Sequence, residues 1–88
     1  MEYEWDKGKN ARNKVKHGID FDSAVDFDWR GAHLTDRSRH TDGEARFAAT
    51  GYLGGKLFTL IFTIRGKNIR IISLRRANTT EEKAYVES

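Results

Sequence analysis

Polar and apolar positions alternate over residues 2–5 (Glu2, Tyr3, Glu4, Trp5), which predicts a short strand. Asp6 follows as an N-cap for a helix over 7–17, and Gly18 ends it. Within that helix Ala11 and Val15 are four apart and predict a narrow apolar stripe, with Lys7, Lys9, Lys14 and Lys16 turned outward. Phe21, Ala24 and Val25, followed by Phe27 and Trp29, predict a second short helix whose Asp20, Asp22 and Asp26 face solvent. From Ala32 the period shifts toward two. A strand is expected over 33–37, a turn at Asp42-Gly43, and a strand over 44–52. Gly54-Gly55 marks a two-residue hairpin into a strand over 56–65. On that strand Phe58, Leu60, Phe62 and Ile64 share one face, and Leu57, Thr59, Ile61 and Thr63 the other. Two semi-apolar faces mark it as central. A turn at 66–68 leads to a strand over 69–75, completing a three-stranded meander. Asn78, Thr79 and Thr80 are all capping residues, and Thr79 with Glu82 fits a capping box for a last helix carrying Ala84, Tyr85 and Val86.

This order predicts an α+β fold: a small antiparallel sheet with two N-terminal helices and one C-terminal helix. The helices are expected on one sheet face, leaving the other open to a ligand. No repeat or linker interrupts the chain, so one domain over residues 1–88 is expected.

Composition narrows the chemistry. With no cysteine there is no disulfide framework, thiolate metal site or cysteine nucleophile, and an intracellular, cytoplasmic setting is expected. The longest apolar stretch, 57–64, is far short of a membrane span, and the acidic, aromatic start is unlike a signal peptide. The net charge of +3 conceals a segregation. Residues 20–28 carry four aspartates and no base, whereas 45–80 carry no acid and seven bases: Arg46, Lys56, Arg65, Lys67, Arg70, Arg75 and Arg76. A basic, arginine-rich half suits a polyanion, because guanidinium binds phosphate bidentately. Lys16, Lys56, Arg65, Lys67 and Arg76 are the candidate RNA contacts on this reading. A surface that is basic only for solubility is the alternative.

His17, His33 and His40 fit no common ligand spacing, the aspartate block lacks a calcium-loop pattern, and no glycine-rich phosphate loop exists. No metal or cofactor site is expected. RNA cleavage without metal needs a base for the 2′-hydroxyl, cations for the phosphorane charge and an acid for the leaving oxygen. Arginine supplies the cations, and His17 at a helix end serves as base or acid, or only caps the helix. Arg70 and Arg75 are an odd number apart, so regular geometry sends them to opposite faces unless a bulge intervenes. The one turned away would pack over a helix or pair with an acid such as Asp22 or Glu81, a structural role. Tyr85 stacks on a base or packs in the core. A basic module that binds nucleic acid or protein without cleaving is the competing function.

The run Trp5-Asp6, Lys9, Asn13, Lys16-His17-Gly18, Ile19, Phe21 and Ala24 resembles the amino-terminal signature of BrnT toxins. Residues Ile69-Arg70-Ile71-Ile72-Ser73, then Arg75, Ala77, Glu81 and Tyr85, resemble its carboxy-terminal signature, and Asp42, Glu44, Arg46 and Gly51 fit its middle strand. Asn10, Ser23 and Leu74 depart from that pattern. The resemblance implies a RelE-like fold and a metal-independent endoribonuclease that arrests translation. It also implies neutralisation by a BrnA-type antitoxin, which contacts DNA in the toxin's place, and a toxin dimer within a toxin–antitoxin heterotetramer. Carried over position by position, the candidate catalytic residues are His17, Glu44, Arg46, Arg70, Arg75 and Tyr85, with Lys16 as an auxiliary cation.

Overall fold

The computed structural model describes residues 2–38 and 44–88. Arg39, His40 and the expected turn at Asp42-Gly43 lie outside the described residues. The elements run β1 (Tyr3–Trp5), α1 (Lys7–His17), a 3₁₀ helix (Phe21–Asp26), β2 (His33–Asp36), β3 (Phe47–Leu53), β4 (Lys56–Arg65), β5 (Asn68–Arg76) and α2 (Thr79–Glu87). The described strands form one sheet in the order β1-β5-β4-β3-β2, so β4 is central as its two semi-apolar faces predict.

The sheet is mixed rather than antiparallel. β1 pairs parallel with β5, Tyr3 opposite Ile69 and Trp5 opposite Ile71, while the other three pairings are antiparallel. Short turns make the β3–β4 and β4–β5 pairs antiparallel. β1 and β5 are joined through the rest of the chain, so no turn imposes a direction on them. The β3–β4 hairpin is the expected tight one: Leu53 pairs with Lys56, and Gly54 and Gly55 both take positive φ, as a primed turn requires.

One sheet face is apolar. Ala49, Leu53, Leu60, Phe62, Ile69, Ile71 and Leu74 pack against Phe21, Ala24 and Phe27 of the 3₁₀ helix and the residue after it. Each large side chain fully buried there contributes about 1.5–3 kcal/mol. Trp29 closes this cluster, edge-on to Phe62, with its indole N–H donating to the Tyr3 hydroxyl at 2.7 Å. Gly51 sits where chains cross most closely: a Cβ there would lie 2.9 Å from the Asp28 carbonyl oxygen and 3.0 Å from the Phe27 ring. Any side chain would push β3 off the core layer.

The helices do not share one face. The 3₁₀ helix covers the apolar face, α2 lies over the opposite face, and α1 runs along the β5 edge. Nor does α1 dock through Ala11 and Val15. Val15 is 90% exposed, and the buried residue is Asn13. Its amide donates to the carbonyl oxygens of Leu74 at 2.8 Å and Ile19 at 3.3 Å, and its oxygen accepts from Leu74 N–H at 3.2 Å and the Ser73 hydroxyl at 3.3 Å. Beyond the last β1 residue the β5 edge would have open backbone groups, and the Asn13 amide takes the place of a neighbouring strand. The cap of α2 is one residue earlier than expected: Asn78 caps, and Glu81 closes the box. β3 begins at Phe47, three residues later than the alternation suggests.

Candidate active site

The second sheet face is polar, and a bulge makes it so. On β4, Thr59, Ile61 and Thr63 alternate regularly, but their partners on β5 are Arg75, Ser73 and Arg70. The register slips between Ile61 and Phe62, leaving Ile72 as the extra residue. Arg70 and Arg75 therefore point to the same face despite their odd separation. Arg76, by the same register, turns to the other face, where its guanidinium lies 5.7 Å from the Phe58 ring centre.

Arg75 is held as a fork on Glu81. Its two terminal nitrogens donate to the two carboxylate oxygens at 2.7 and 2.9 Å. One Glu81 oxygen also accepts from the Thr59 hydroxyl and the Asn78 N–H, both at 2.9 Å, and Thr50 in turn donates to Thr59 at 2.8 Å. Arg37 adds a second cation 3.6 Å away. Burial of this carboxylate, whose side chain is 11% exposed, favours its neutral form. The Arg75 hydrogen bonds, with those of Asn78 and Thr59, outweigh that and hold its pKa at about 2. Arg75 also donates to the Arg76 carbonyl, so two of its five N–H groups remain for a ligand.

His17 ends α1 beside this group. Its pKa is lowered by partial burial and by the charges of Lys16 and Arg75, so at neutral pH it is an unprotonated imidazole next to two cations. His17, Lys16, Asn13, Ser73 and Ile72 line a cleft of about 330 Å³ between α1 and β5, continued along the helix by Lys9 and Arg12. An imidazole, three cations and a hydroxyl in one cleft, with Arg75 nearby, form a set suited to proton removal beside a phosphate.

The other sequence candidates lie farther off. Arg70 shares the face but is four β4 residues along from the Arg75 row, about 13 Å; it sits 3.5 Å from Glu4. Arg46 precedes β3 on the same side of the sheet, its backbone oxygen accepting from Arg37 N–H. Its buried Nε has no hydrogen-bond partner among the described residues. Glu44 lies 3.9 Å from Arg65 at the far end of β4, about 20 Å from the Arg75 row at six residues of strand rise. Lys67 follows in the next turn, and Lys56 begins β4 at the opposite end of the sheet. Tyr85 packs edge-on against Tyr52 of β3, two strands away from β5, at a ring separation of 5.6 Å. Arg37 and Ser73 join the polar face without having been singled out for chemistry. Among the described residues no group of three or more His, Cys, Asp or Glu side chains is placed to hold a metal, and no helix is long and apolar enough to cross a membrane.

An α+β scaffold sets His17 in a cationic cleft, and comparison with known proteins gives the class to which this arrangement belongs, the ribonuclease toxins. Residues 5–81 match the sequence model of the family described as the ribonuclease toxin, BrnT, of type II toxin–antitoxin systems. The crystal structure of the Brucella abortus ribonuclease toxin BrnT is similar at 29% identity and a TM-score of 0.72, over 90% of this chain and 99% of that one. No curated relative matches. The chain belongs to the BrnT family of ribonuclease toxins, and an antitoxin protein is its partner by family.

Proposed function

We propose that this chain is a metal-independent endoribonuclease whose reaction takes place in the cleft between α1 and β5. The observation that carries this reading is the cleft that His17 and Lys16 line together, with Arg75 near enough for its charge to lower the His17 pKa. His17 removes the proton of a ribose 2′-hydroxyl, and the freed oxygen attacks the adjacent phosphorus in line. Lys16 and the two uncommitted N–H groups of Arg75 stabilise the charge on the non-bridging oxygens. The P–O5′ bond breaks, the 5′-oxygen takes a proton from solvent at the open mouth of the cleft, and the products are a 2′,3′-cyclic phosphate and a 5′-hydroxyl. The side chains supply both the base and the electrophilic stabilisation that a metal would otherwise provide.

Arg70 and Arg46, farther along the polar face, hold the RNA on the 13 Å side of the reacting phosphate rather than touching it. Arg65, Lys67, Lys56 and Arg76 are peripheral, and Glu44 and Tyr85 lie outside the reacting group. The chain acts as a single domain in the cytoplasm, on a RelE-like scaffold. It arrests translation by cutting RNA and is neutralised by a BrnA-type antitoxin, through which alone it meets DNA, as a toxin dimer in a heterotetramer.

Purified protein incubated with a defined single-stranded RNA in excess EDTA tests this. The expected result is cleavage with cyclic-phosphate ends that stops when antitoxin is added. RNA bound but intact, with and without ribosomes, contradicts the enzyme and leaves a binding module.

A further inference from the structure

The cleft continues beyond the reacting group along a row of cations that the cleavage step does not use. We infer that Lys9 and Arg12, in line with Lys16 on α1, form a track for the phosphodiester backbone of single-stranded RNA next to the cleaved bond, an assignment that rests on the ribonuclease reading above.

Spacings of three and four residues put Lys9, Arg12 and Lys16 on one stripe of α1, and all three line the same cleft. Its other lining groups are the Asn13 amide, His17, the Ser73 hydroxyl and the bulged Ile72, with no carboxylate among them. Five other arginines of the molecule are each within ion-pair range of an acid: Arg30 with Asp28, Arg37 and Arg75 with Glu81, Arg65 with Glu44, and Arg70 with Glu4. Lys9, Arg12 and Lys16 have no such partner among the described residues. Asp6, which lies near Arg12, is engaged by the Lys9 backbone N–H at 2.9 Å. Asp6 offsets Arg12 in part, but no acid lines the cleft itself, and a concave place lined by three cations selects an anion.

The shape selects a strand over a small anion. About 330 Å³ is at the low end of pockets that enclose a whole small molecule, roughly 300–1,000 Å³, and far more than one phosphate fills. From Lys9 to Lys16 the helix rises about 10 Å, room for two phosphates of an extended chain. Arg12, between the lysines, offers the planar fork that grips a phosphate bidentately. Ile72 is an apolar surface for a ribose or a base edge. RNA leaving the reacting phosphate along this row runs toward the N-terminus of α1. An acidic segment of a protein partner would meet the same cations. It would gain nothing from a groove that ends on a buried amide, a hydroxyl and a neutral imidazole.

The test uses the intact chain and a non-cleavable 2′-O-methyl RNA hexamer, with binding followed by fluorescence anisotropy over a salt series. The double substitution Lys9→Glu/Arg12→Glu is compared with Lys9→Gln/Arg12→Gln and with the unaltered protein, and thermal melts confirm that both variants fold. Expected is about a tenfold or greater loss of affinity in both variants. The slope of log affinity against log salt should fall by about 1.4, the share of two single-strand phosphates. If the unaltered protein cleaves RNA and both variants bind the hexamer with unchanged affinity and slope, the track is wrong and the ribonuclease reading stands. A protein that neither binds nor cleaves RNA overturns both. Variants that keep RNA but lose the antitoxin assign the row to the protein partner instead, which also overturns the track.

Discussion

Glu81→Ala is expected to lower the unfolding free energy by about 3 kcal/mol, a large loss for so small a protein. The carboxylate joins four parts of the chain: the Arg75 fork from β5, the Thr59 hydroxyl from β4, the Asn78 cap of α2, and Arg37 after β2. Removing it leaves the Arg75 guanidinium, whose side chain is 24% exposed, without its counter-ion. It also opens the capping box and removes the acceptor for Thr59. α2 contributes no buried residue of its own, so little else holds it on the sheet. A fall of the Glu81 pKa from 4.5 to about 2 corresponds to about 3 kcal/mol at most, at about 1.4 kcal/mol per unit. The sign follows from linkage. A carboxylate with a depressed native pKa stabilises the fold above the unfolded value, and that contribution is lost as pH falls from 4.5 through about 2. Urea melts across this range should show an acid-labile component in the unaltered protein that Glu81→Gln lacks. Equal acid sensitivity of the two would remove Glu81 from this role.

The same pair alters how an arginine variant is read. Arg75→Ala deletes a cation from the cleft but also leaves a mostly buried carboxylate unpaired, so lost activity in that variant mixes chemistry with unfolding. Paired with Glu81→Gln, which stays neutral, the Arg75 substitution isolates the effect on cleavage.

His17→Gln is expected to reduce the cleavage rate by about 10²–10⁴-fold, the usual contribution of a positioned general base, with little change in stability. His17 is half-buried, and the helix end is closed independently by Gly18, whose N–H donates to the Lys14 carbonyl oxygen at 2.8 Å. Because partial burial, Lys16 and Arg75 all lower its pKa below 6.5, the base is already unprotonated at neutral pH. The rate should hold from neutrality down to the lowered pKa and fall on further acidification. Single-turnover cleavage measured against pH checks this. An unchanged rate in His17→Gln, or an acid limb that persists in it, would identify another base.

What was legible in the sequence was what neighbouring residues decide. Asp6 and Gly18 bound α1 because capping is local, and Gly54-Gly55 fixes its hairpin because a two-residue turn needs positive φ at both positions. The misread features depend on partners distant in sequence. Ala11 and Val15 look like the buried stripe of α1, yet the helix meets a strand edge with open backbone groups, and there an amide binds better than a methyl group. Three capping residues precede two glutamates at the start of α2, and the choice of Asn78 with Glu81 is made by Arg75 and Thr59, which only the folded sheet brings near. The parallel β1 edge is beyond any hairpin rule.

Part of what lines the candidate cleft is legible in the sequence. An acid-free second half and the residues His17, Lys16 and Arg75 mark the cationic face, and Glu81 is one of the two acids expected to pair with an arginine of β5. The bulge was not legible, because an unbroken apolar run from Ile69 to Ile72 hides a change of phase. Paired regularly, with Ile72 in the ladder and no bulge, Arg75 and Ser73 would turn to the face opposite Arg70, toward the apolar core, and the cleft would lose its floor. Asn13 and Ser73 contribute through hydrogen bonds rather than charge, and charge segregation gives no sign of them.

The central claim, that RNA occupies the cleft between α1 and β5, is tested most directly by amide spectra of labelled protein titrated with non-cleavable single-stranded RNA. Shifts concentrated at Asn13, Lys16, His17, Ser73 and Arg75, with Lys56, Arg76 and Tyr85 unmoved, are the expected result. Shifts centred instead on Tyr52, Lys56 and Tyr85, with His17 and Ser73 silent, would contradict it.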